Sequence, residues 1–322
     1  MSGNRLDVLS VGEALIDLLA PDAPELESAD RFVRAAGGAP ANVAVAAARL
    51  GARAGFAGAI GSDPFGRHLR VTLEDNGVDT SGLQTVRERT TLAFVARNAG
   101  GIPDFIFYRG ADAAFSAEML PVELIRRSTF VYVSSMALLT ETSRAATLTA
   151  VMHAREARTL VAFDPNLRPS SWPSLGHARQ AILGVLGRVD ILKVNEEEAL
   201  LLEDTRDVEV ALRALSGTGR LVVVTRGADG CLWHWRNMSG SVPAPAVDVV
   251  DTTGAGDAFT GGLLAALCGR AYTADRLWAL RRDDLEEMLR FACTAGALAC
   301  TVPGAMPALP TRDQVQAALS VL

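Results

Sequence analysis

Cysteine, histidine and long apolar runs are scarce in this sequence. Its four cysteines include no Cys-x-x-Cys pair and its four histidines are scattered, so neither residue type has the spacing of a metal site. No window offers the roughly 18 uncharged apolar residues that a membrane-spanning helix needs. We therefore expect reduced, mostly buried thiols and no membrane partner.

A basic segment is also missing. The formal net charge is −6 over 322 residues, and both signs are spread along the chain, so nucleic acid is not an expected partner. The N-terminal stretch alternates and is broken by Asp7, Glu13 and Asp17, unlike a signal peptide. These features predict a cytoplasmic globular protein.

Several common nucleotide-binding signatures are absent. The sequence has no Gly-x-x-x-x-Gly-Lys-Ser/Thr string, and the Gly-x-Gly that begins at Gly254 has Phe259 where a dinucleotide fingerprint needs its third glycine. It also lacks the His-Arg-Asp and Asp-Phe-Gly motifs of protein kinases. These absences argue against a P-loop enzyme, a nicotinamide-dependent oxidoreductase and a protein kinase.

The most informative segment that is present is DTTGAGDAF at 251–259. Its glycines precede a run of small apolar residues, which predicts a turn and then a helix that begins at or near Gly254. Backbone amides at a helix N-terminus bind anions, and glycine allows close approach. Asp257 would lie in the first turn, where a carboxylate beside an anion hole can deprotonate a hydroxyl during phosphoryl transfer. The pattern equally fits a tight connection followed by an acid that complements the helix dipole.

The rest of the chain predicts an α/β architecture. From residue 130 onward, β-rich runs alternate with helical patterns, which indicates a mostly parallel sheet with helices on both faces. Two further β-rich runs, 90–96 and 105–109, flank the segment Asn98-Ala99-Gly100-Gly101 and predict a hairpin. Together with a strand at 15–19, this hairpin is expected to form a small separate sheet.

Polar residues follow the predicted strands of the main sheet, at the edge where ligands of parallel sheets bind. This set comprises Asp164, Arg168, Asn195, Glu198, Thr225, Gly227 and Asp251. Asn195 and Glu198 fit either a magnesium site that acts through water or an N-cap with an acidic first turn. The segment 225–230 fits either a plain turn or a glycine turn under a nucleotide. The glycines before the helix that bears Asn42 fit either a polar pocket or close packing.

Two long segments resemble the signatures of the ribokinase-like (PfkB) carbohydrate kinases, and the resemblance covers essentially the whole chain. The segment 37–66 resembles the first signature, and 251–259 resembles the second almost letter for letter. Within the family, the segments 12–17, 107–109, 163–168 and 304–310 are most similar to those of fructokinases. The resemblance implies a three-layer α/β/α core with a mostly parallel sheet and a small β-sheet lid, which often serves as a homodimer surface.

The resemblance also implies a division of the chain. Residues 1–12, 40–85 and 112–322 would form the core, the last segment with the nucleotide site. The lid would comprise discontinuous strands in 13–39 and a hairpin in 86–111.

The roles implied by the resemblance cover the catalytic, sugar, nucleotide and cation sites. Asp257 would be the catalytic base, with an anion hole formed by the backbone of Gly254, Ala255 and Gly256. The sugar site would comprise Asp17, Gly38, Asn42, Tyr108, Arg168 and Asp251. The nucleotide site would comprise Asn195, Thr225, Gly227 and Gly230. Asn195 and Glu198 match the motif associated with magnesium, and Asp251 and Thr253 match positions near a potassium site in some members.

The expected activity is ATP-dependent phosphorylation of a small sugar, most specifically fructose to fructose 6-phosphate, with Mg²⁺ and, as in some members of the family, K⁺. Kinases of 2-keto-3-deoxygluconate, ribose or aminoimidazole riboside are alternatives, as is a non-catalytic sugar-binding regulator. A keto-acid substrate would require a cation, for which Arg31, Arg97 and Arg109 are candidates. Cys293 replaces an asparagine that family fructokinases often carry near the adenine. The segment 110–112 also occurs in aminoimidazole riboside kinases.

Overall fold

The computed structural model describes residues 5–97, 103–217, 219–270 and 273–321, and the side chains of residues 97, 103 and 104 are not described. Its strands are β1 Leu6–Val11, β2 Leu15–Leu19, β3 Val33–Gly37, β4 Ala54–Gly61, β5 Asp79–Val86, β6 Leu92–Arg97, β7 Pro103–Tyr108, β8 Ser128–Ser134, β9 Leu160–Asp164, β10 Ile191–Asn195, β11 Leu221–Thr225, β12 Cys231–Trp235 and β13 Met238–Val242. Its helices are α1 Ala39–Arg49, α2 Pro64–Asp75, α3 Ala111–Ala114, α4 Val122–Arg126, α5 Glu141–Glu156, α6 Leu175–Leu186, α7 Glu196–Glu203, α8 Val208–Ser216, α9 Ala255–Cys268, α10 Ala274–Trp278, α11 Arg282–Ala299 and α12 Arg312–Leu319.

Nine strands form the main sheet, in the order β13-β12-β11-β10-β9-β8-β1-β4-β5. The strands from β11 to β5 in this order are parallel, whereas β12 and β13 run antiparallel at one edge. Parallel strands need crossover connections, which the intervening helices supply. The carboxyl ends of β1, β9, β10 and β11 therefore lie along one edge of the sheet.

Side chains of the central strands alternate between two apolar layers. In β8, Val131 and Val133 pack on the side of α5, α6 and α8, while Phe130 and Tyr132 pack on the side of α1, α9 and α11. A strand buried on both faces reads as a continuous apolar run, as the sequence of β8 does. The predicted three-layer α/β/α architecture is confirmed.

Helices α1 and α9 approach each other closely because small residues face each other. A Cβ added to Gly261 of α9 would lie 2.5 Å from the Cβ of Ala46 in α1. Any larger side chain at position 261 would force the helices apart. This contact fixes the N-terminus of α9 against Asn42, which lies in the first turns of α1.

A second sheet contains four strands in the order β3-β2-β6-β7. Its strands lie within the segments 15–37 and 92–108, and the turn predicted at Asn98-Ala99-Gly100-Gly101 lies outside the described residues. Leu15, Ala93 and Val95 form its buried centre. The predicted small separate sheet is confirmed. Across the helices that the structure describes, none has the length and apolar character needed to span a membrane.

Candidate active site

A cavity of about 500 Å³ lies between the carboxyl ends of the core strands and the small sheet. Its lining includes residues from both sheets and from the N-termini of α1 and α9. The predicted site residues that line it are Asp17, Gly38, Asn42, Arg168, Asn195, Thr225, Thr253, Gly254, Gly256 and Asp257. Residues separated by up to 240 positions are thus brought to one ligand-sized space.

The N-terminus of α9 forms one wall of the cavity. Gly254 has a φ of 81° and precedes the first helical residue, and a Cβ there would lie 3.1 Å from the Cα of Ala305. Glycine is therefore required for both the conformation and the close approach. Gly254 and Gly256 line the cavity, but the amide of Ala255 donates to the carbonyl of Thr252 at 3.2 Å. Of the three residues of the predicted anion hole, Gly254 and Gly256 thus line the cavity, whereas the amide of Ala255 is engaged by the preceding loop.

Asp257 lies in the first turn of α9 and is 6% exposed. One carboxylate oxygen accepts a hydrogen bond from Asn42 Nδ2 at 2.8 Å, and the other accepts a longer one from Asn166 Nδ2 at 3.4 Å. Burial raises the pKa of Asp257 to about 6, although the Asn42 hydrogen bond and the charges of Lys193 and Arg168 oppose the shift. Such a carboxyl is ionised at neutral pH and is basic enough to accept a proton.

Two further carboxyls, those of Asp17 and Glu13, line the cavity. Burial raises the pKa of Asp17, in β2, to about 7, and the nearby Arg168 reduces that rise. Burial likewise raises the pKa of Glu13 to about 8, and the Ser134 hydroxyl lies 3.4 Å from one of its oxygens. Glu13 was not among the predicted site residues. A carboxyl near half-protonation can donate or accept a hydrogen bond, which suits contact with hydroxyl groups.

Arg168 connects the core to the small sheet. Its guanidinium lies 5.1 Å from the centre of the Phe105 ring, and its Nη1 donates to Asn166 Oδ1 at 2.6 Å. The ring of Phe105 stacks on that of Phe107 at 5.7 Å, and both line the cavity. A cation over an aromatic face is attracted to it, so this contact favours a defined position of β7.

The side chain of Tyr108 does not face the cavity. Because side chains alternate along a strand, Tyr108 lies on the opposite face of β7 from Phe105 and Phe107, and it is 63% exposed. Its ring packs on Phe94 instead. The placement of Tyr108 at the sugar site is therefore corrected: Phe105 and Phe107 are the aromatic residues of β7 that line the cavity.

Two of the three candidate keto-acid cations have partners and do not line the cavity. Arg109 donates to the carbonyl of Met136 at 2.9 Å and forms an ion pair with the buried Asp112. Arg31 is exposed and pairs with Asp22. The side chain of Arg97 lies outside the described part of the structure.

The residues predicted for the nucleotide site lie at and just beyond the ends of two neighbouring strands. Asn195 and Thr225 are paired in register at the ends of β10 and β11, and both line the cavity. The turn after β11 is closed by the amide of Arg226, which donates to the carbonyl of Gly230 at 2.8 Å. Gly227 and Gly230 have φ values of 56° and 81°, and they shape this turn without lining the cavity.

The predicted magnesium pair forms a capping box. Asn195 Oδ1 accepts from the amide of Glu198 at 2.8 Å, and Glu198 Oε2 accepts from the amide of Asn195 at 2.8 Å. Glu198 is buried and also accepts from the amide of Leu167 at 2.6 Å. Within the described residues, no cluster of three or more His, Cys, Asp or Glu could hold a metal by itself. Magnesium fits this edge because it needs only one or two protein oxygens besides phosphates and water. Asn195 and Glu197 are the residues of this motif that line the cavity.

Asp251 organises the loop before α9. Its carboxylate accepts hydrogen bonds from the amides of Thr253 at 2.8 Å and Gly304 at 2.9 Å. Thr253 lines the cavity but Asp251 does not. Its predicted contact with the sugar is therefore corrected to a structural one, because its carboxylate is engaged within the loop.

Lys193 is a site residue that the sequence analysis missed. Its Nζ lies 2.9 Å from Asp164 Oδ2, and its side chain lines the cavity. Asp164 also accepts from the hydroxyl of Thr260, in α9, at 3.2 Å. A signal was available in the sequence, because Lys193 is its only lysine.

Cys293 lies behind the turn at 226–230. It is 4% exposed, and its Sγ lies 3.7 Å from that of Cys231 in β12. Cys293 does not line the cavity. The residue that replaces the family asparagine thus packs against a second thiol under the turn.

The comparison with family models decides the identity. The model described as pfkB family carbohydrate kinase matches residues 5–312. This chain belongs to that family. Among curated relatives, the kinase is 43% identical over 321 residues to "Fructokinase-1" of Oryza sativa subsp. japonica, covering 98% of each chain. The predicted family, and with it carbohydrate kinase activity, is confirmed.

Solved structures of similar proteins share the whole fold. A fructokinase from Xylella fastidiosa with bound ATP has a TM-score of 0.88 and 34% identity, covering 98% of both chains. A fructokinase from Vibrio cholerae in a form with fructose, ADP and calcium has a TM-score of 0.85 and 35% identity, covering 96% of this kinase and 97% of that chain. Aminoimidazole riboside kinase from Salmonella enterica, complexed with aminoimidazole riboside and an ATP analogue, has a TM-score of 0.80 and 34% identity, covering 97% of this kinase and 99% of that chain.

Proposed function

We propose that this kinase transfers the γ-phosphoryl group of ATP to fructose and forms fructose 6-phosphate. The observation that carries this proposal is the position of Asp257, a buried carboxylate beside the backbone of Gly254 and Gly256, at one cavity with polar groups for a sugar and for phosphate. The fructokinase relatives support the choice of sugar.

In the proposed mechanism, the sugar lies between Asp17 and Asp257. Asp257 takes the proton of the accepting hydroxyl, whose oxygen attacks the γ-phosphorus as the bond to the β,γ-bridging oxygen breaks. The amides of Gly254 and Gly256 stabilise the charge that develops on the transferred group. The small sheet, with Phe105 and Phe107 on its inner face, would exclude water during transfer.

Magnesium would reach this site with the nucleotide. Asn195 and Glu197 line the cavity beside Thr225, where they could hold the waters of a hydrated ion. The ion would neutralise part of the negative charge of the phosphates, which would otherwise face the carboxylates of the site. Omission of Mg²⁺ should abolish turnover, and a titration of activity against Mg²⁺ at fixed ATP would measure this.

A monovalent cation is proposed beside the loop 251–253. Asp251 fixes this loop against Gly304 immediately before the anion hole, so an ion here would order the amide of Gly254. Exchange of K⁺ for tetramethylammonium should lower kcat, and an unchanged kcat would remove the cation from the proposal.

Homodimer formation through the outer face of the small sheet is proposed as well. This face carries the exposed apolar side chains of Phe32, Ile106 and Tyr108, which are 36%, 46% and 63% exposed and which surround Phe94. Apolar residues grouped in this way are typical of an interaction surface. Light scattering coupled to size exclusion should give twice the chain mass, and Ile106→Asp should give the single mass.

An ADP-release assay over fructose, ribose, 2-keto-3-deoxygluconate and aminoimidazole riboside tests the activity and the substrate together. We expect the highest kcat/KM with fructose, and ³¹P NMR should identify the product as fructose 6-phosphate. A higher kcat/KM with aminoimidazole riboside would reassign the substrate. Fructose binding without ADP release would instead indicate a regulator.

A further inference from the structure

Lys193 occupies an unusual position for a lysine. It lies in β10, a strand buried on both faces, and it is only 7% exposed. Lysine is among the residues least often buried, because its ammonium loses hydration. The sequence contains no other lysine, whereas arginine supplies the other 30 basic residues of the 31 that are lysine or arginine. Position 193 is therefore the one place in the sequence where a basic side chain ends in a compact ammonium group instead of a guanidinium.

The surroundings keep Lys193 protonated. Burial by itself would lower its pKa, but the carboxylates of Asp164, Glu198 and Asp257 outweigh that effect and raise the pKa above its ordinary value. Asp164 holds the ammonium at 2.9 Å, and the hydroxyl of Thr260 holds Asp164. The ammonium is thus charged and fixed in place.

The ammonium points to the N-terminus of α9. A Cβ added to Gly256 would lie 3.0 Å from Lys193 Nζ, so the ammonium is in van der Waals range of the helix's first turn. Lys193, Gly254 and Gly256 all line the same cavity. An anion that accepts hydrogen bonds from the amides of this turn would therefore also lie within reach of the ammonium.

We propose that Lys193 is a further catalytic residue, which binds the terminal phosphate of ATP and stays on that group as it passes to the sugar, while Asp164 and Thr260 act as positioning residues. This inference rests on the proposed kinase function. The ammonium exchanges no proton: the hydroxyl proton goes to Asp257, the new bond joins the sugar oxygen to phosphorus, and the electron pair of the broken bond leaves with ADP. The ammonium neutralises charge on the non-bridging oxygens.

A buried structural ion pair is the competing explanation. It predicts that loss of Lys193 harms stability, because Asp164 would be left buried and unpaired, and that a neutral pair would restore activity together with stability. The proposed role predicts that the neutral pair restores stability alone. The double variant Lys193→Met/Asp164→Asn separates the two.

Kinetics of four variants provide the first test. Lys193→Met and the double variant should each lower kcat by about 10²–10³-fold, comparable to loss of one donor to a developing oxyanion, with the KM for fructose within about threefold. Lys193→Arg should retain more activity than Lys193→Met. Arg155→Met is the control, because it removes an exposed partner of Asp190 just before the same strand, and it should retain wild-type activity. A stable double variant with wild-type kcat would overturn the proposal.

The pH profile adds a readout of the charge that Lys193 places beside Asp257. The charge of Lys193 lowers the pKa of Asp257, so its removal should move the acid limb of kcat to higher pH. An acid limb that stays in place in Lys193→Met would contradict the proposed proximity.

A spectroscopic test uses the single lysine and does not depend on sugar turnover. Protein labelled with ¹³C at lysine Cε should give one side-chain resonance, assigned to Lys193 by its absence in Lys193→Met. A non-hydrolysable ATP analogue with Mg²⁺ should shift this resonance more than ADP with Mg²⁺ does. Equal shifts would overturn contact with the terminal phosphate. If the wild-type protein phosphorylates no sugar but the resonance responds to the analogue, the proposed function fails and the phosphate contact stands.

Discussion

Asp257 and Asp17 face the cavity from opposite sides, and their surroundings differ. Asp257 belongs to the core, where burial raises its pKa to about 6 against the hydrogen bond from Asn42 and the charges of Lys193 and Arg168. Asp17 belongs to the small sheet, where only Arg168 opposes burial, and its pKa is about 7. The core thus keeps its carboxyl ionised for proton abstraction, while the small sheet keeps one that is suited to hydrogen bonding with a sugar.

The sharpest way to test this division is Asp257→Asn. The amide retains the size of the side chain but cannot take a proton, so kcat should fall by about 10²–10⁴-fold. The KM for fructose should change little, because binding uses the other wall of the cavity. Steady-state kinetics measure both constants. A kcat close to wild type would remove Asp257 from its role.

Asp17→Ala should affect binding more than chemistry. Removal of hydrogen bonds to a charged or partly charged group costs about 1.5–3 kcal/mol, which corresponds to roughly a 10–150-fold rise in the KM for fructose. The KM for ATP should stay within about threefold of wild type, because the proposed nucleotide residues Asn195 and Thr225 lie on the core strands and not on the small sheet. If kcat falls instead while the KM for fructose is unchanged, the division between the two carboxyls is wrong.

Gly261→Val tests the close contact between α1 and α9, which positions Asp257 but not Asp17. The added side chain would overlap Ala46, and overpacking of this kind destabilises by about 1–3 kcal/mol. Urea unfolding should show this loss, together with lower kcat from displacement of α9. The control is Gly184→Ala in α6, where nothing lies within 4 Å of the added methyl, and it should stabilise the protein by about 0.5–1 kcal/mol. Equal midpoints for the two variants would contradict the close helix contact.

The dependence on pH should show the smallest effects. With ionised Asp257 as the proposed base, kcat should fall about tenfold per pH unit below about pH 6. Both carboxyls bind protons more tightly in the folded than in the unfolded chain, so their contribution to the free energy of unfolding should fall as pH rises from about 4 to 7. Asp257→Asn removes one of these two groups, so its free energy of unfolding should fall less over this window than that of the wild type. Equal slopes for the two proteins would contradict the raised pKa of Asp257.

Much of this architecture was predictable because local patterns determine it. The alternation of strands and helices identified the layered core, and the glycines before Asp257 identified the start of α9. Tyr108 was misplaced because one step along a strand moves a side chain to the other face, and the sequence of β7 is apolar on both faces. Lys193 was missed because a single charged residue inside an apolar strand has no periodic signal. Only the fold shows that it lies beside Gly256.

The hydrogen bond between Asn42 and Asp257 joins positions 215 residues apart in the chain. Asp257 can therefore accept this hydrogen bond only after most of the polypeptide has been synthesised and folded around the sheet. Contacts between residues so far apart in the chain form late and slowly. A nascent chain released before α9 is synthesised would contain the strands that surround the proposed sugar site but would have no kinase activity. During refolding from denaturant, recovery of turnover should therefore follow the slowest step that completes the native topology.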